Sequence, residues 1–303
     1  MRRTVDEATE CSLSSSVKAA QFELDQRPMG VANYPISLSG CVMRGTDSKK
    51  GRTRWLAPGE GAVRYLNYGR IILDSGDAPV RFNNQNQETG LICLRGGGEV
   101  STRGSVFQMA PYDSLYIPRN SEIEITGGRE GCDFAEVSAE VEHSYPLKFV
   151  PYTDVKRDSG LHYQTGSEAA QRVVNILIGK NVEAGRILAG ITFSQPGNWT
   201  SWPPHEHAAM LEEAYIYIAM PSPAWGLQLV YTNPEAPELA EVVREGDCVV
   251  MPQGYHPNVA APGGSINFLW IMAAHREVED RQFGVVNVQP EYAGVRSGLE
   301  SGR

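Results

Sequence analysis

The sequence lacks the features that would place it in a membrane or on a nucleic acid. It has no run of about 18 consecutive apolar residues, so no transmembrane helix is expected. Its first twenty residues carry charges but no apolar core of a signal peptide. Acidic residues number 36 against 27 basic ones, giving a net charge of −9, which argues against nucleic-acid binding. We therefore expect a cytoplasmic protein with no membrane or nucleic-acid partner.

Cysteine is also scarce, and no CxxC motif occurs. The number of cysteines is odd and their spacing is wide, at Cys11, Cys41, Cys93, Cys132 and Cys248. This pattern does not predict a disulfide framework and is typical of a reduced, cytosolic chain.

Helix-forming residues do not dominate, whereas the 31 glycines and 19 prolines separate many short Val, Ile and Tyr runs. Such spacing predicts an all-β protein with few helices. The runs form two sets, and "GSVFQMAPYDSLYIPRNSEIEI" in the first has the same order of strands and turns as "AEVVREGDCVVMPQGYHPNVAA" in the second. This similarity predicts two related β domains in tandem, although common turn sequences are an alternative explanation.

The predicted boundaries follow from these two sets. Residues 1–25 would form a flexible segment, 26–145 the first barrel, 146–170 a linker, 171–290 the second barrel and 291–303 a tail.

Histidine is absent from residues 1–142, but two histidines stand one residue apart in "PPHEH". In an extended strand His205 and His207 point to the same face, as metal ligands must. Glu212 or Glu213 follows at the start of a strand, and His256 lies after a Pro-x-Gly turn. Singly each histidine is explained by a structural role, but together these residues predict one divalent metal ion, which could be zinc, manganese, iron or nickel.

The stretches "GNWTSWPPHEH", "LEEAYIYI", "VREGDCVVMPQGYHPNVAAPG" and "NFLWIMAA" resemble the 5-deoxy-glucuronate isomerases of inositol catabolism, within the cupin superfamily. The close resemblance covers about residues 170–275. It implies a bicupin, which is two tandem jelly-roll β-barrels. It also implies His205, His207, Glu213 and His256 as metal ligands, although spacing alone would also admit Glu212.

The resemblance further implies a sugar-acid substrate and a homo-oligomer. Arg172 matches a basic position of the family and would hold the substrate carboxylate, although a surface ion pair would also explain it. Trp202 and Tyr217 suit a sugar pocket but would also suit a barrel core. Glu212, Tyr255 or a metal-bound hydroxide would move the proton.

The expected function is therefore a metal-dependent aldose–ketose isomerase acting on a deoxy-uronate, with 5-deoxy-glucuronate as substrate and 5-dehydro-2-deoxy-gluconate as product. Two alternatives remain open from the sequence. One is a cupin dioxygenase with the same three histidines and one glutamate, and the other is a non-catalytic protein that binds sugar acids.

Overall fold

The computed structural model describes residues 38–60, 62–295 and 298. The predicted flexible segment, 1–25, lies outside these residues. Within them the chain is mostly β-strand, with one short helix, α1 (Tyr152–Val155), and three 3-10 turns at Leu38–Gly40, Glu168–Ala170 and Pro290–Tyr292. The predicted all-β class is confirmed. Across the same residues, no helix has the length and apolar character needed to cross a bilayer.

Most of the N-terminal half forms a single antiparallel sheet in the order β2-β3-β8-β5-β7-β9, with β4 paired to β8 and β6 to β5. The nine strands of this half are β1 (Val42–Met43), β2 (Gly51–Leu56), β3 (Asn67–Leu73), β4 (Val80–Asn83), β5 (Gln87–Thr102), β6 (Ser105–Met109), β7 (Ser114–Ile117), β8 (Glu122–Glu140) and β9 (Lys148–Val150).

The C-terminal half builds a second barrel from two larger sheets, ordered β1-β18-β15-β20-β12-β11-β10 and β13-β19-β16-β17, with β14 and β21 forming a separate pair. Its strands are β10 (His162–Thr165), β11 (Arg172–Ile178), β12 (Ile187–Ser194), β13 (Trp199–Thr200), β14 (His205–Glu206), β15 (Leu211–Tyr217), β16 (Gly226–Val230), β17 (Leu239–Val243), β18 (Cys248–Met251), β19 (Asn258–Ala260), β20 (Phe268–Ala274) and β21 (Asn287–Val288).

The two barrels share strands across the predicted boundaries. Although β1 comes first in the described chain, it pairs with β18 of the second barrel, Val42 opposite Val249. The predicted linker at 146–170 also contains two strands, since β9 pairs with β7 of the first barrel and β10 with β11 of the second. The predicted boundaries are therefore not kept, because β1 belongs to a sheet of the second barrel and the predicted linker contributes one strand to each barrel.

The first barrel closes because its two longest strands, β5 and β8, bend at glycines. At Gly96, where φ is +70°, a Cβ atom would lie 2.3 Å from the carbonyl oxygen of Gly131. At Gly131, where φ is +73°, a Cβ atom would lie 2.4 Å from the carbonyl oxygen of Leu73. Only glycine allows the backbones to approach this closely, and the register of β5 and β8 shifts at the same bend.

Alternation along the strands of the first barrel separates its interior from the barrel–barrel interface. In β5, Leu91 and Cys93 belong to the interior cluster, whereas Ile92 between them packs in the cluster that both barrels share. In β7, Leu115 and Ile117 are likewise interior, whereas Tyr116 joins the shared cluster. Successive side chains of a strand point to opposite faces, so one face fills the barrel and the other packs against its neighbour.

A buried ion pair lies where the two barrels meet. Arg70 donates two hydrogen bonds to Asp133, from Nε at 2.6 Å and from Nη2 at 2.7 Å, and both side chains are almost fully buried. Arg70 also donates to Thr46, whose hydroxyl donates to the carbonyl of Gly246 in the second barrel. Removing one partner would therefore leave a buried charge without its counter-ion.

Asp133→Asn should destabilise the protein by about 3–5 kcal/mol, because Arg70 would keep its charge in a buried position. Glu124→Gln is the matched control, since Arg81 and Glu124 form the same two-bond pair on the surface. Urea unfolding should place the midpoint of Glu124→Gln close to that of the wild type and the midpoint of Asp133→Asn well below it. Equal midpoints for the two variants would contradict the assignment.

Candidate metal centre

Three side chains meet inside the second barrel within reach of a single ion. The potential ligand atoms of His207, Glu213 and His256 all lie within 4.8 Å of one another, and all three residues are buried. Oε2 of Glu213 lies 3.0 Å from Nε2 of His207 and 3.1 Å from Nε2 of His256. The structure thus brings together three of the four ligands that the sequence predicts.

The fourth predicted ligand, His205, lies beside this cluster. Its ring centroid is 5.0 Å from that of His256 and 6.4 Å from that of His207, and its side chain is buried. His205 and Glu206 form β14, which pairs with β21 near the C-terminal end of the described chain. His205 is thus close enough to join the cluster but is not one of the three groups that already converge.

Backbone carbonyls orient all three histidines in the same way. Nδ1 of His205 donates to the carbonyl of Pro203 at 2.8 Å, and Nδ1 of His256 donates to that of Gly254 at 3.0 Å. Nδ1 of His207 faces the carbonyl of Leu211 at 3.4 Å. A carbonyl only accepts, so each ring carries a proton on Nδ1, and Nε2 is left as the nitrogen that can bind a metal ion.

This donor set fits a divalent cation. Two Nε2 atoms and an anionic carboxylate converge in a buried space, and Nε2 of His256 is buried without a hydrogen-bond partner. Imidazole nitrogen and carboxylate oxygen are ligands that zinc, manganese, iron and nickel accept. A cation between the three groups would satisfy the orphaned nitrogen and neutralise the buried carboxylate.

The electrostatics of the cluster favour an ionised carboxylate, and they act in opposite directions on His205 and His207. Burial, followed by the charge of His256, lowers the pKa of His205 to about 3. Burial alone would raise the pKa of Glu213, but the charge and hydrogen bond of His207, together with the neighbouring His256, outweigh burial and lower it to about 2. Burial would lower the pKa of His207, but Glu213 outweighs burial and raises it. The carboxylate thus attracts positive charge to this point.

The cluster opens into a pocket with mixed walls. Arg172, Thr192, Ser201 and Tyr215 supply polar groups, and the remaining wall is apolar, formed by Val174, Leu211, Phe268, Trp270, Met272 and the segment 283–286. Sequence reasoning had not singled out Ser201, Thr192 or the segment 283–286. The positive φ of Ser201, +50°, is not visible in the sequence.

Arg172 is the predicted substrate-binding residue that reaches this pocket. It is buried at the start of β11, where Nη1 donates to the carbonyl of Ala170 at 2.9 Å and Nη2 to that of Trp202 at 2.8 Å. A buried guanidinium fixed in this way is consistent with a site for a carboxylate and not with a surface ion pair.

Glu212 does not face the cluster, which corrects the expectation that it moves the proton. Successive residues of a strand point to opposite faces. The carboxylate of Glu212 accepts backbone hydrogen bonds from Arg64, Tyr65 and Leu66 of the first barrel, at 2.6, 2.9 and 3.0 Å. It therefore belongs to the barrel interface and lies outside the pocket wall.

Three aromatic residues also lie outside the pocket, contrary to expectation. Tyr217 lies two residues after Tyr215 on the same face of β15, and its hydroxyl donates to Gln228 at 2.5 Å. Tyr255 pairs with Tyr231, at 5.8 Å between ring centroids. Trp202 packs between Trp199 and Tyr292, at 5.2 and 5.0 Å. These three aromatic residues are close to the histidines in sequence but do not line the pocket. Of the two tyrosines of β15, Tyr215 lines it.

Comparison with known proteins gives a consistent result. The sequence pattern of the KduI/IolB family matches residues 42–288. The 5-deoxy-glucuronate isomerase of Geobacillus kaustophilus is 29% identical over 243 residues, covering 75% of this chain and 86% of that protein. The enzyme of the same name from Shouchella clausii is 32% identical over 181 residues, covering 57% of this chain and 65% of that protein.

Solved structures show the same fold. An IolB-like protein from Salmonella typhimurium LT2 superimposes with a TM-score of 0.74 at 22% identity, covering 84% of this chain and 98% of that one. An oxalate decarboxylase variant from Bacillus subtilis superimposes with a TM-score of 0.53 at 15% identity, covering 76% of each chain. At these identities the likeness concerns the fold alone.

Glu213→Gln and His256→Ala should each lose most of the bound metal, because each removes one of the converging donors. The wild-type protein, loaded with zinc or manganese and desalted, should retain about one ion per chain by elemental analysis. His143→Ala is the control, since its side chain is 75% exposed and pairs with Glu277 outside the pocket. Full metal retention by both ligand variants, or none by the wild type, would refute this site.

Proposed function

This chain belongs to the KduI/IolB family, and on that premise we propose that it is a metal-dependent sugar-acid isomerase. Its substrate would be the deoxy-uronate for which its curated relatives are named, 5-deoxy-glucuronate. The product would be the ketose 5-dehydro-2-deoxy-gluconate, as in inositol catabolism. The observation that carries this proposal is the buried cluster of His207, Glu213 and His256 at a pocket with Arg172 in its wall.

An aldose–ketose isomerisation moves a proton between neighbouring carbons through an enediolate. A divalent ion bound by His207, Glu213 and His256, with His205 as the proposed fourth ligand, would act as a Lewis acid and stabilise that anion. Backbone carbonyls accept hydrogen bonds from Nδ1 of His205 and His256, so Nε2 is the nitrogen that each ring would offer to the ion.

Arg172 is the proposed partner of the substrate carboxylate. Its guanidinium offers the planar geometry that matches a carboxylate with two parallel hydrogen bonds. Because Ala170 and Trp202 fix the side chain, the substrate would be bound at one end by Arg172 and at the other by the metal centre. Holding both ends would fix the orientation of the substrate in the pocket.

Tyr215 and Ser201 are the proposed hydroxyl groups that contact the reacting part of the substrate. Their oxygens are 2.7 Å apart, and both residues line the pocket. Burial, and then the charge of Glu213, raises the pKa of Tyr215 well above 10, so its phenol keeps its proton at neutral pH. Tyr215 can therefore donate a hydrogen bond to a substrate oxygen, in place of the role expected for Tyr255.

The apolar part of the wall supports the same chemistry by excluding water. Leu211, Phe268 and Met272 line the pocket together with the segment 283–286. In a space with little water, interactions between the enediolate and fixed charges are stronger than in solution.

Proton NMR of the metal-loaded protein with 5-deoxy-glucuronate should show conversion to the ketose without oxygen consumption. In deuterated water the carbon that gains a proton should carry deuterium, because an enediolate exchanges with solvent. Protein loaded with redox-silent zinc should remain active, since the proposed ion is a Lewis acid. Oxygen-dependent turnover would instead indicate a dioxygenase, and tight binding of the uronate without turnover would indicate a binding protein.

Arg172→Ala should raise KM for the uronate by about 10-fold or more, because a hydrogen bond to a charged group contributes about 1.5–3 kcal/mol. Arg81→Ala is the matched control, since Arg81 lies on the surface of the first barrel. Steady-state kinetics would measure the difference. An unchanged KM in Arg172→Ala would remove Arg172 from substrate binding.

A further inference from the structure

We propose that Glu212 is a positioning residue of the metal centre, acting through its neighbour Glu213. The inference rests on the proposed metal-dependent function. Glu212 occupies β15 immediately before Glu213, and its side chain leaves the strand on the opposite face. One carboxylate thus ties β15 to the first barrel, while the next one faces the histidines.

Glu212 makes three hydrogen bonds to the backbone of the first barrel. Both oxygens of Glu212 are used, since Oε1 accepts from the backbone N–H of Arg64, and Oε2 accepts from those of Tyr65 and Leu66. Three consecutive N–H groups form a concave anion site of the kind that backbone amides build in loops. Glu212 is 3% exposed, so these bonds are not exchanged readily for water.

A glutamate of the first barrel makes the same kind of contact with the backbone of the second barrel. Glu88 of β5 accepts from the backbone N–H of three consecutive residues of the second barrel, Gly185, Arg186 and Ile187, at 2.7, 2.6 and 2.8 Å. Tyr116 also donates its hydroxyl to Glu88 at 2.7 Å. Each barrel therefore extends one glutamate into the loop that begins a strand of the other.

Strand register shows that the two glutamates are equivalent. Thr89, which follows Glu88, pairs with Ile117 at the end of β7, and Pro118 comes next. Glu213, which follows Glu212, pairs with Met251 at the end of β18, and Pro252 comes next. Thr89 therefore occupies in the first barrel the position that Glu213 occupies in the second.

This equivalence supplies a matched control within one molecule. Both glutamates tie the barrels together, but only Glu212 adjoins a residue of the metal cluster. If the ties served stability alone, their loss should affect the metal centre equally. If Glu212 also fixes the position of the Glu213 carboxylate, its loss should weaken metal binding by more than the loss of stability explains.

The test compares Glu212→Gln with Glu88→Gln in the full chain, using cobalt(II) as the metal probe. In each variant an amide NH2 group faces the N–H donors in place of a carboxylate oxygen, so both should unfold at lower urea concentrations than the wild type. Glu212→Gln should also weaken cobalt binding by about 10–100-fold, the usual effect of losing a residue that orients a ligand, and should change the visible cobalt spectrum. Glu88→Gln should keep the wild-type affinity and spectrum.

If Glu212→Gln does not fold, a second pair of variants tests the same hydrogen bonds by changing the donor residue Arg64 of the first barrel. Arg64→Pro removes one backbone N–H donor to Glu212 without changing β15, whereas Arg64→Ala keeps that donor. Weaker cobalt binding in Arg64→Pro than in Arg64→Ala would support the inference. Equal cobalt affinity and spectra in Glu212→Gln and Glu88→Gln would overturn it, and failure of the wild type to bind cobalt would overturn the metal centre itself.

Discussion

The alternation of side chains at one step of β15 is the constraint on which the site and the barrel interface both depend. Glu212 and Glu213 are adjacent, so a strand must send them to opposite faces. One carboxylate is satisfied by the backbone of the first barrel, and the other lies among the histidines of the second. A shift of the register by one residue would place either Leu211 at the position of Glu212 or Ala214 at the position of Glu213. Either the N–H groups of the interface or the histidines of the cluster would then lose their carboxylate.

The two barrels share this framework but fill their interiors differently. In the first barrel the position of Glu213 is taken by Thr89, and Leu91, Cys93 and Phe134 pack inside. An ionised carboxylate in such an apolar interior would be costly, because residues 1–142 contain no histidine to compensate its charge. The second barrel compensates its carboxylate with imidazoles. The first barrel therefore contributes to the site from outside, by holding the strand that carries it.

The sequence predicted the parts of this arrangement that depend on local spacing. The Pro-x-Gly turn before His256 has a local signature, and His256 lies in the cluster. Of the two histidines in the H-x-H pair, His207 joins the cluster and His205 lies beside it. The family resemblance selected Glu213 over Glu212, and the structure places Glu213 with the histidines. Proximity along the chain was misleading for Tyr217, Tyr255 and Trp202, because whether an aromatic ring faces the pocket depends on neighbours from distant strands. The pairing of β1 with the second barrel and the contacts of Glu212 join residues that are 146 to more than 200 positions apart along the chain, and no local sequence pattern predicts them.

The orientation of the histidines and the distances between them have different structural causes. Each ring is fixed by a carbonyl within four residues of itself, so local loops decide which nitrogen faces the cluster. The convergence of the rings, by contrast, needs β14, β15 and the loop before β19 to be held together by the sheets. Local hydrogen bonds set the tautomer and the long-range packing sets the distance, and a metal ion needs both. With Glu212 in its proposed positioning role, changes at the barrel interface that touch none of the proposed ligands would alter the distances in the cluster and leave the tautomers intact.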